Sequence, residues 1–157
     1  MQIEQLYHLP QPEMESLLAA SRAEGYNFVD RLVDDFADGS NRFDQTGEAL
    51  FGVYAEGQLI AIGGLNRDPY LPDENAGRVR HVYVLSAHRR HGAGRLLIEA
   101  IIHAARPHFR LLTLRTFSPA AAIFYQALGF RTDPTIANAT HHMRLYPSAN
   151  ASPAPIS

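Results

Sequence analysis

The sequence predicts a mixed α/β domain, with a mostly antiparallel central sheet of about six to seven strands and helices on both faces. Three observations point there. Two β-rich runs, 50–55 and 58–65, meet at Glu56-Gly57, where glycine supplies the positive φ of a tight hairpin. The run 78–85, RVRHVYVL, alternates and is dense in β-branched and aromatic side chains, which marks a strand. Helical patterns over 92–106 and 119–128 then alternate with a strand over 110–117, so a strand-helix-strand-helix series follows the antiparallel part.

The remaining elements fall into place around these. Residues 2–8 read as a short strand. Pro10 and Pro12 precede a helix carrying Met14, Leu17 and Leu18, and Gly25 closes it. A second helix over 27–38 puts Phe28, Leu32, Val33 and Phe36 on one face, with Gly39 just beyond. The stretch 66–77 holds Asn66, Asp68, Pro69, Pro72, Asp73, Asn75 and Gly77, too many turn formers for regular structure, and is expected to be a loop. In the helix over 92–106, Leu96, Leu97, Ala100, Ile101 and Ala104 form the buried side, and Pro107 stops it. Ser118-Pro119 is a helix start, since serine caps free N–H groups and proline suits the first helical position, while Gly129 supplies the stop. Residues 130–132 and 141–146 look like a closing pair of strands. One domain over 1–147 is expected, followed by a polar, proline-rich and disordered tail over 148–157.

Composition narrows the function classes. With 157 residues, 46% of them hydrophobic and no run of eighteen apolar positions, the chain is long enough for one buried core and offers no membrane span. A formal charge of −2 gives no general drive towards nucleic acid. The absence of cysteine excludes disulfides, thiolate metal sites and a cysteine acyl-enzyme. With no secretory pattern at the N-terminus, a cytoplasmic setting is expected.

The most informative segment is the turn 89–94, Arg89-Arg90-His91-Gly92-Ala93-Gly94, with Arg95 following. Two glycines remove Cβ atoms where an anion approaches the backbone, the helix start offers unpaired N–H groups, and the arginines add charged donors. This is a phosphate cradle. It is neither GxGxxG, since no glycine stands at 97, nor a Walker loop, since no Gly-Lys-Ser/Thr follows.

The turn resembles the (Gln/Arg)-x-x-Gly-x-(Gly/Ala) signature of the GNAT superfamily of N-acetyltransferases, where this loop grips the pyrophosphate of coenzyme A. A second match lies at the right distance: 118–130, SPAAAIFYQALGF, resembles the superfamily's Asn-x-x-Ala helix, with Ala121, Tyr125, Leu128, Gly129 and Phe130 in register. Val82, Tyr83 and Val84 match the strand whose backbone bulges and bonds the pantetheine arm. The resemblance covers roughly 50–146. Two positions depart from it, with Ser86 in place of a common proline and Ser118 in place of the asparagine.

The resemblance implies a direct transfer of acetyl from acetyl-coenzyme A to a primary amine. The acceptor is expected to be a small molecule, an anionic one included, and less readily a peptide or protein. Tyr125 is implied as the acid that protonates the departing thiolate, a task suited to a phenol of pKa about 10. Backbone N–H near Val84 is implied as the oxyanion donor. Cofactor contacts are expected from Val82, Tyr83, Val84, Arg89, Arg90, His91, Gly92, Ala93, Gly94, Arg95 and Ser118. Well-known members project a glutamate or histidine from the central strand, whereas the matching positions here are Arg78 and Arg80, which cannot accept a proton. These two are expected either to bind an acceptor anion or to pair with acids such as Asp68 or Glu74. Asn66 and Asp68 are the further acceptor-side candidates.

His81 stands opposite Arg80 on an ideal strand and reads as packed unless the strand bulges and rotates it. His88 and His91 lack a third ligand at metal spacing, so no metal is expected. The arginines at 89, 90 and 95 also permit an RNA patch, but no basic stripe or nucleic-acid motif accompanies them. Other readings are a binding module that holds acyl-coenzyme A without turnover, an acyltransferase using another acyl chain or a hydroxyl acceptor, and a nucleotide-phosphate enzyme. A homodimer is expected from relatives.

Overall fold

In a computed structural model, residues 1–71 and 75–146 are described; the expected tail over 148–157 lies outside them. The elements are β1 (Gln2–Gln5), α1 (Glu13–Ala23), α2 (Phe28–Asp38), β2 (Ala49–Ala55), β3 (Gln58–Arg67), β4 (Ala76–Val84), α3 (Ala93–Ala105), β5 (Leu111–Leu114), α4 (Pro119–Ala127) and β6 (His141–Arg144). A single turn of 3₁₀ helix, Ser86–His88, follows β4.

The six strands lie side by side in chain order, each antiparallel to its neighbour except the parallel pair β4 and β5. A parallel neighbour needs a crossover, and α3 supplies it. Two apolar layers result. Leu97, Ile98 and Ile101 of α3 pack with Val53, Leu65, Val79 and Leu112 on one face. Met14 and Leu17 of α1 and Val29 and Leu32 of α2 pack with Leu50, Ile62 and Tyr83 on the other. Among the described residues, no helix is long and apolar enough to cross a membrane.

Local chemistry accounts for the boundaries. At the hairpin tip Glu56 and Gly57 both take positive φ, 52° and 77°, the pair a primed turn demands. Gly39 and Gly129 end α2 and α4 in the left-handed region.

Three expectations change. The loop over 66–77 is shorter, because β3 runs to Arg67 and β4 starts at Ala76, with Asn66 opposite Arg78 and Arg67 opposite Gly77. Tertiary partners outweigh the local turn preference there: the Asn66 amide is taken up by Asn41 and Glu48, each at 2.9 Å. The strand over 110–117 shrinks to Leu111–Leu114, since beyond it Thr116 N–H turns away to Thr140 Oγ1 at 2.9 Å. The strand at 130–132 reduces to one bridge between Arg131 and His142, after which Pro134 removes a ladder donor.

Candidate active site

The pairing of β4 with β5 covers only Ala76 with Leu111, Gly77 with Leu112 and Arg78 with Thr113. Past that point the strands part, and the opening becomes a cleft of about 960 Å³. Its walls are the outer half of β4, the turn into α3, the end of β5 and the first turns of α4.

On the turn side, Gly92 caps α3 with φ 92°, a conformation that strains any L side chain. Leu96 N–H makes the bond back to Gly92 O, at 3.0 Å, so the N–H groups of the preceding first turn are free of helical partners. Arg90 and Arg95 border the cleft with Gly92 and Gly94, whereas His91 and Ala93 do not line it, and the Ala93 side chain is buried in the core. Gly94 has a packing reason besides: a Cβ there would stand 3.2 Å from the Phe124 ring of α4.

Arg89 does more than face an anion. Its Nη2 donates to Glu24 Oε2 at 2.8 Å and its Nε to Val84 O at 2.9 Å, while its guanidinium lies 5.6 Å over the Tyr83 ring. The same Glu24 oxygen accepts the Tyr83 hydroxyl at 2.9 Å. Arg89, foremost, holds the Glu24 carboxyl below its usual range. Burial together with Glu24 pushes the Tyr83 phenol up to about 12. The phosphate turn is thereby tied to the C-terminal end of α1.

Across the cleft, Ser118 caps α4, its Oγ accepting Ala121 N–H at 3.2 Å. Tyr125, about two turns on, is 7% exposed, with Phe124 and Phe130 edge-on at 5.1 and 5.5 Å. Its hydroxyl has no hydrogen-bond partner among the described residues, and the side chain lines the cleft. Burial drives the phenol pKa upward, so the group holds its proton throughout the neutral range.

The strand between these walls carries the main departure from ideal geometry. Ile62 pairs with Tyr83 and Gly64 with Arg80, leaving Gly63 opposite both His81 and Val82. This is a β-bulge, with His81 at φ 58°. Val82 stays on the α3 face, where Gly63 leaves room between it and Leu97. His81 is turned to the α2 face, edge-on to Phe43 at 6.3 Å and 82°. Arg80, His81 and Tyr83 therefore share one face. Both His81 ring nitrogens are buried without a hydrogen-bond partner. Desolvation, reinforced by the charges of Arg80 and Arg31 and opposed in part by a backbone contact with Phe28, pushes the imidazole pKa down to about 4.

Backbone alternation adds a donor. Leu85 N–H bonds Ile60 O at 2.9 Å on the β3 side, so Val84 N–H, one residue out of phase, turns to the side where β5 has departed.

Arg78 lines the cleft but is engaged. Its Nη1 stands 3.6 Å from Asp68 Oδ2 with both side chains nearly inaccessible, its Nη2 donates to Asn138 O at 2.9 Å, and Tyr70 lies under the guanidinium at 4.9 Å. Asp68 in turn accepts from Thr113 Oγ1 and from the backbone N–H of Tyr70 and Leu71. Neither Asn66 nor Asp68 lines the cleft. Arg80 has no ion pair or hydrogen bond among the described residues. The alternative partner Glu74 lies outside them.

Several wall residues carry no sequence signal. Tyr26 and Phe28 line the cleft beside Tyr83, the three rings stacked edge-on or tilted at 5.3–6.5 Å. Glu24 meets Arg89 across 65 positions of chain, which no local pattern reveals. Among the described residues no group of three His, Asp or Glu is placed to hold a metal ion.

The sheet splays at its one parallel junction, with an anion-ready helix start and a phenol on opposite lips of the opening. The chain belongs to the GNAT acetyltransferase family, whose model matches residues 3–130. It is similar to a crystal structure from Exiguobacterium sp. 255-15, provisionally assigned as an acetyltransferase, with 33% identity, a TM-score of 0.80 and coverage of 91% of this chain and 92% of that one. A GNAT-family structure from Desulfovibrio desulfuricans superposes with a TM-score of 0.70 at 16% identity, covering 91% and 98%. A ribosomal-protein-alanine N-acetyltransferase from Brucella melitensis does so at 0.63 and 18% identity, covering 85% and 86%. These last two likenesses are of fold alone. No curated protein matches.

Proposed function

We propose that the protein is an acetyl-coenzyme A-dependent N-acetyltransferase acting on a primary amine of a small molecule. The observation that carries this reading is the convergence of three features on one cleft: the free N–H groups at the start of α3, the outward-turned backbone of Val84, and the Tyr125 hydroxyl. The fit to coenzyme A rests on the same wall. Orphan N–H groups with Arg90 and Arg95 suit a pyrophosphate, and the parted strands leave an unpaired edge along β4 that suits an extended amide arm.

The bound cosubstrate supplies an activated acyl group on a thiol leaving group. Val84 N–H serves as donor to the acyl oxygen, where charge accumulates during transfer. Tyr125, kept protonated by its burial, gives a proton to the departing sulfur. Ser118 shapes the wall as a helix cap. Asp68 acts on the acceptor side indirectly, by holding Arg78 and the backbone at Tyr70 and Leu71, and Asn66 by tying the end of β3 to Asn41 and Glu48. A cytoplasmic setting and a homodimer are parts of the same proposal.

The test is release of free thiol from acetyl-coenzyme A in the presence of an amine panel. Tyr125→Phe should lower kcat by about a hundredfold while cosubstrate binding, followed by calorimetry, changes less than about twofold. Binding without thiol release for any amine would leave a module that holds the cosubstrate without turning it over.

A further inference from the structure

Charge is distributed unevenly around the cleft. Six arginines line it, Arg78, Arg80, Arg89, Arg90, Arg95 and Arg115, and no aspartate or glutamate does among the described residues. The chain as a whole is formally −2, so this is a local concentration. Glu24 lies close behind, but Arg89 and the Tyr83 hydroxyl already occupy its oxygen. An acceptor with several ammonium groups would meet only like charge here.

The arginines are not equivalent. Arg90 and Arg95 flank the start of α3, Arg89 is spent on Glu24, Arg78 is buried against Asp68, and Arg115 lies 4.8 Å over Phe117. Arg80 remains, half-buried, unpaired, and on the α2 face of β4. Next to it the bulge places His81, whose ring nitrogens lack partners although they are buried. In a regular strand consecutive side chains point to opposite faces, so only the bulge brings a fixed cation and a neutral proton acceptor together on one face. Beyond them the wall is aromatic: Phe28 is half-buried and Tyr26 is 45% exposed at the mouth.

We infer that the acceptor is an amine of the aromatic α-amino acid type, its carboxylate on Arg80, the adjacent nitrogen towards the cleft beside His81 and its ring against Tyr26 and Phe28. The inference rests on the acetyl-transfer reading and names the substrate class of that site. The short separation of nitrogen and carboxylate in such a molecule matches the adjacency of Arg80 and His81. The acceptor nitrogen reacts as the free amine, its ammonium proton already released to water. In the transfer the N–C bond forms as the C–S bond breaks, the remaining extra proton on nitrogen leaves to water in the cleft, and Tyr125 gives a proton to sulfur.

A matched acceptor set tests this with the full chain and acetyl-coenzyme A: phenylalanine, phenethylamine without the carboxylate, alanine without the ring, and spermidine. Phenylalanine should exceed each of the others in kcat/KM by at least about tenfold, the scale of one charge-assisted bond or one filled apolar subsite. Arg80→Gln should collapse the ratio of phenylalanine to phenethylamine toward one, and Tyr26→Ala the ratio of phenylalanine to alanine. Arg80→Lys, which retains charge without the planar fork, should restore part of the first ratio and covers the case in which the glutamine variant does not fold. Spermidine or phenethylamine turned over as fast as phenylalanine, or ratios unmoved by these variants, overturns the inference and leaves acetyl transfer standing. If no amine is acetylated while acetyl-coenzyme A still raises Tm, acetyl transfer itself fails and the inference with it.

Discussion

His81 shows how much one residue's setting decides. Its left-handed backbone costs about 1–2 kcal/mol in a non-glycine residue, and its ring nitrogens are buried without a well-formed hydrogen bond. Such a group contributes to pH-dependent stability with a definite sign. The imidazole titrates near 4 when folded and near 6.5 when unfolded, so between those values the unfolded chain binds the extra proton. Stability associated with His81 is therefore complete above about pH 6.5 and falls, by at most about 3 kcal/mol, as pH drops towards 4. The charged groups around it, Arg80 on its own strand and Arg31 on α2, are cations throughout that window. Urea melts at pH 7 and pH 5 should show a larger loss for the wild type than for His81→Asn, which tolerates the same backbone; equal losses would contradict the burial of the ring.

Elements, more than single residues, determine which parts of the site can be read from sequence. The turn into α3 and the start of α4 are legible because their function is local: a positive-φ glycine, a run of free N–H groups and a serine cap are all encoded within a few positions. The bulge in β4 is not, because RVRHVYVL alternates like any regular strand. Its cause lies on β3, where Gly63 admits Val82 and Leu97, and Gly64 admits the Phe43 ring that packs on His81. A methyl group at 64 would overlap that ring. Gly64→Ala is thus expected to destabilise the fold by about 1–3 kcal/mol or more and to disturb His81 from the next strand, measurable as a lower Tm together with a changed His81 ring resonance. The aromatic wall was hidden for a similar reason. Tyr26 and Phe28 sit at the link between two helices, where nothing in spacing distinguishes them from core.

At the scale of the whole molecule, the sheet's order equals the chain's order; that strand order emerges only in the fold, while the mixed, mostly antiparallel sheet with helices on both faces was readable from the alternation of elements. Where the sheet parts was not, since the extent of β4–β5 pairing depends on contacts such as Thr116 to Thr140, made only once the chain is folded. The three paired positions between β4 and β5 also carry a mechanical meaning. They make the substrate crevice the seam between two bodies, the meander β1–β4 and the unit β5, α4 and β6, which otherwise adhere through side-chain packing and a few side-chain hydrogen bonds such as Thr113 to Asp68 and Arg78 to Asn138 O. Such a seam is where sub-global opening begins. Amide hydrogen exchange should find β5 and α4 opening together at lower free energy than β2 and β3, and saturation with acetyl-coenzyme A should raise that energy towards the global value. Uniform protection without cosubstrate would refute the seam. On the proposed function, the cosubstrate would act as a rivet across the weakest line of the fold, so the supply of acetyl-coenzyme A would set how long each molecule survives proteolysis as well as how fast it turns over.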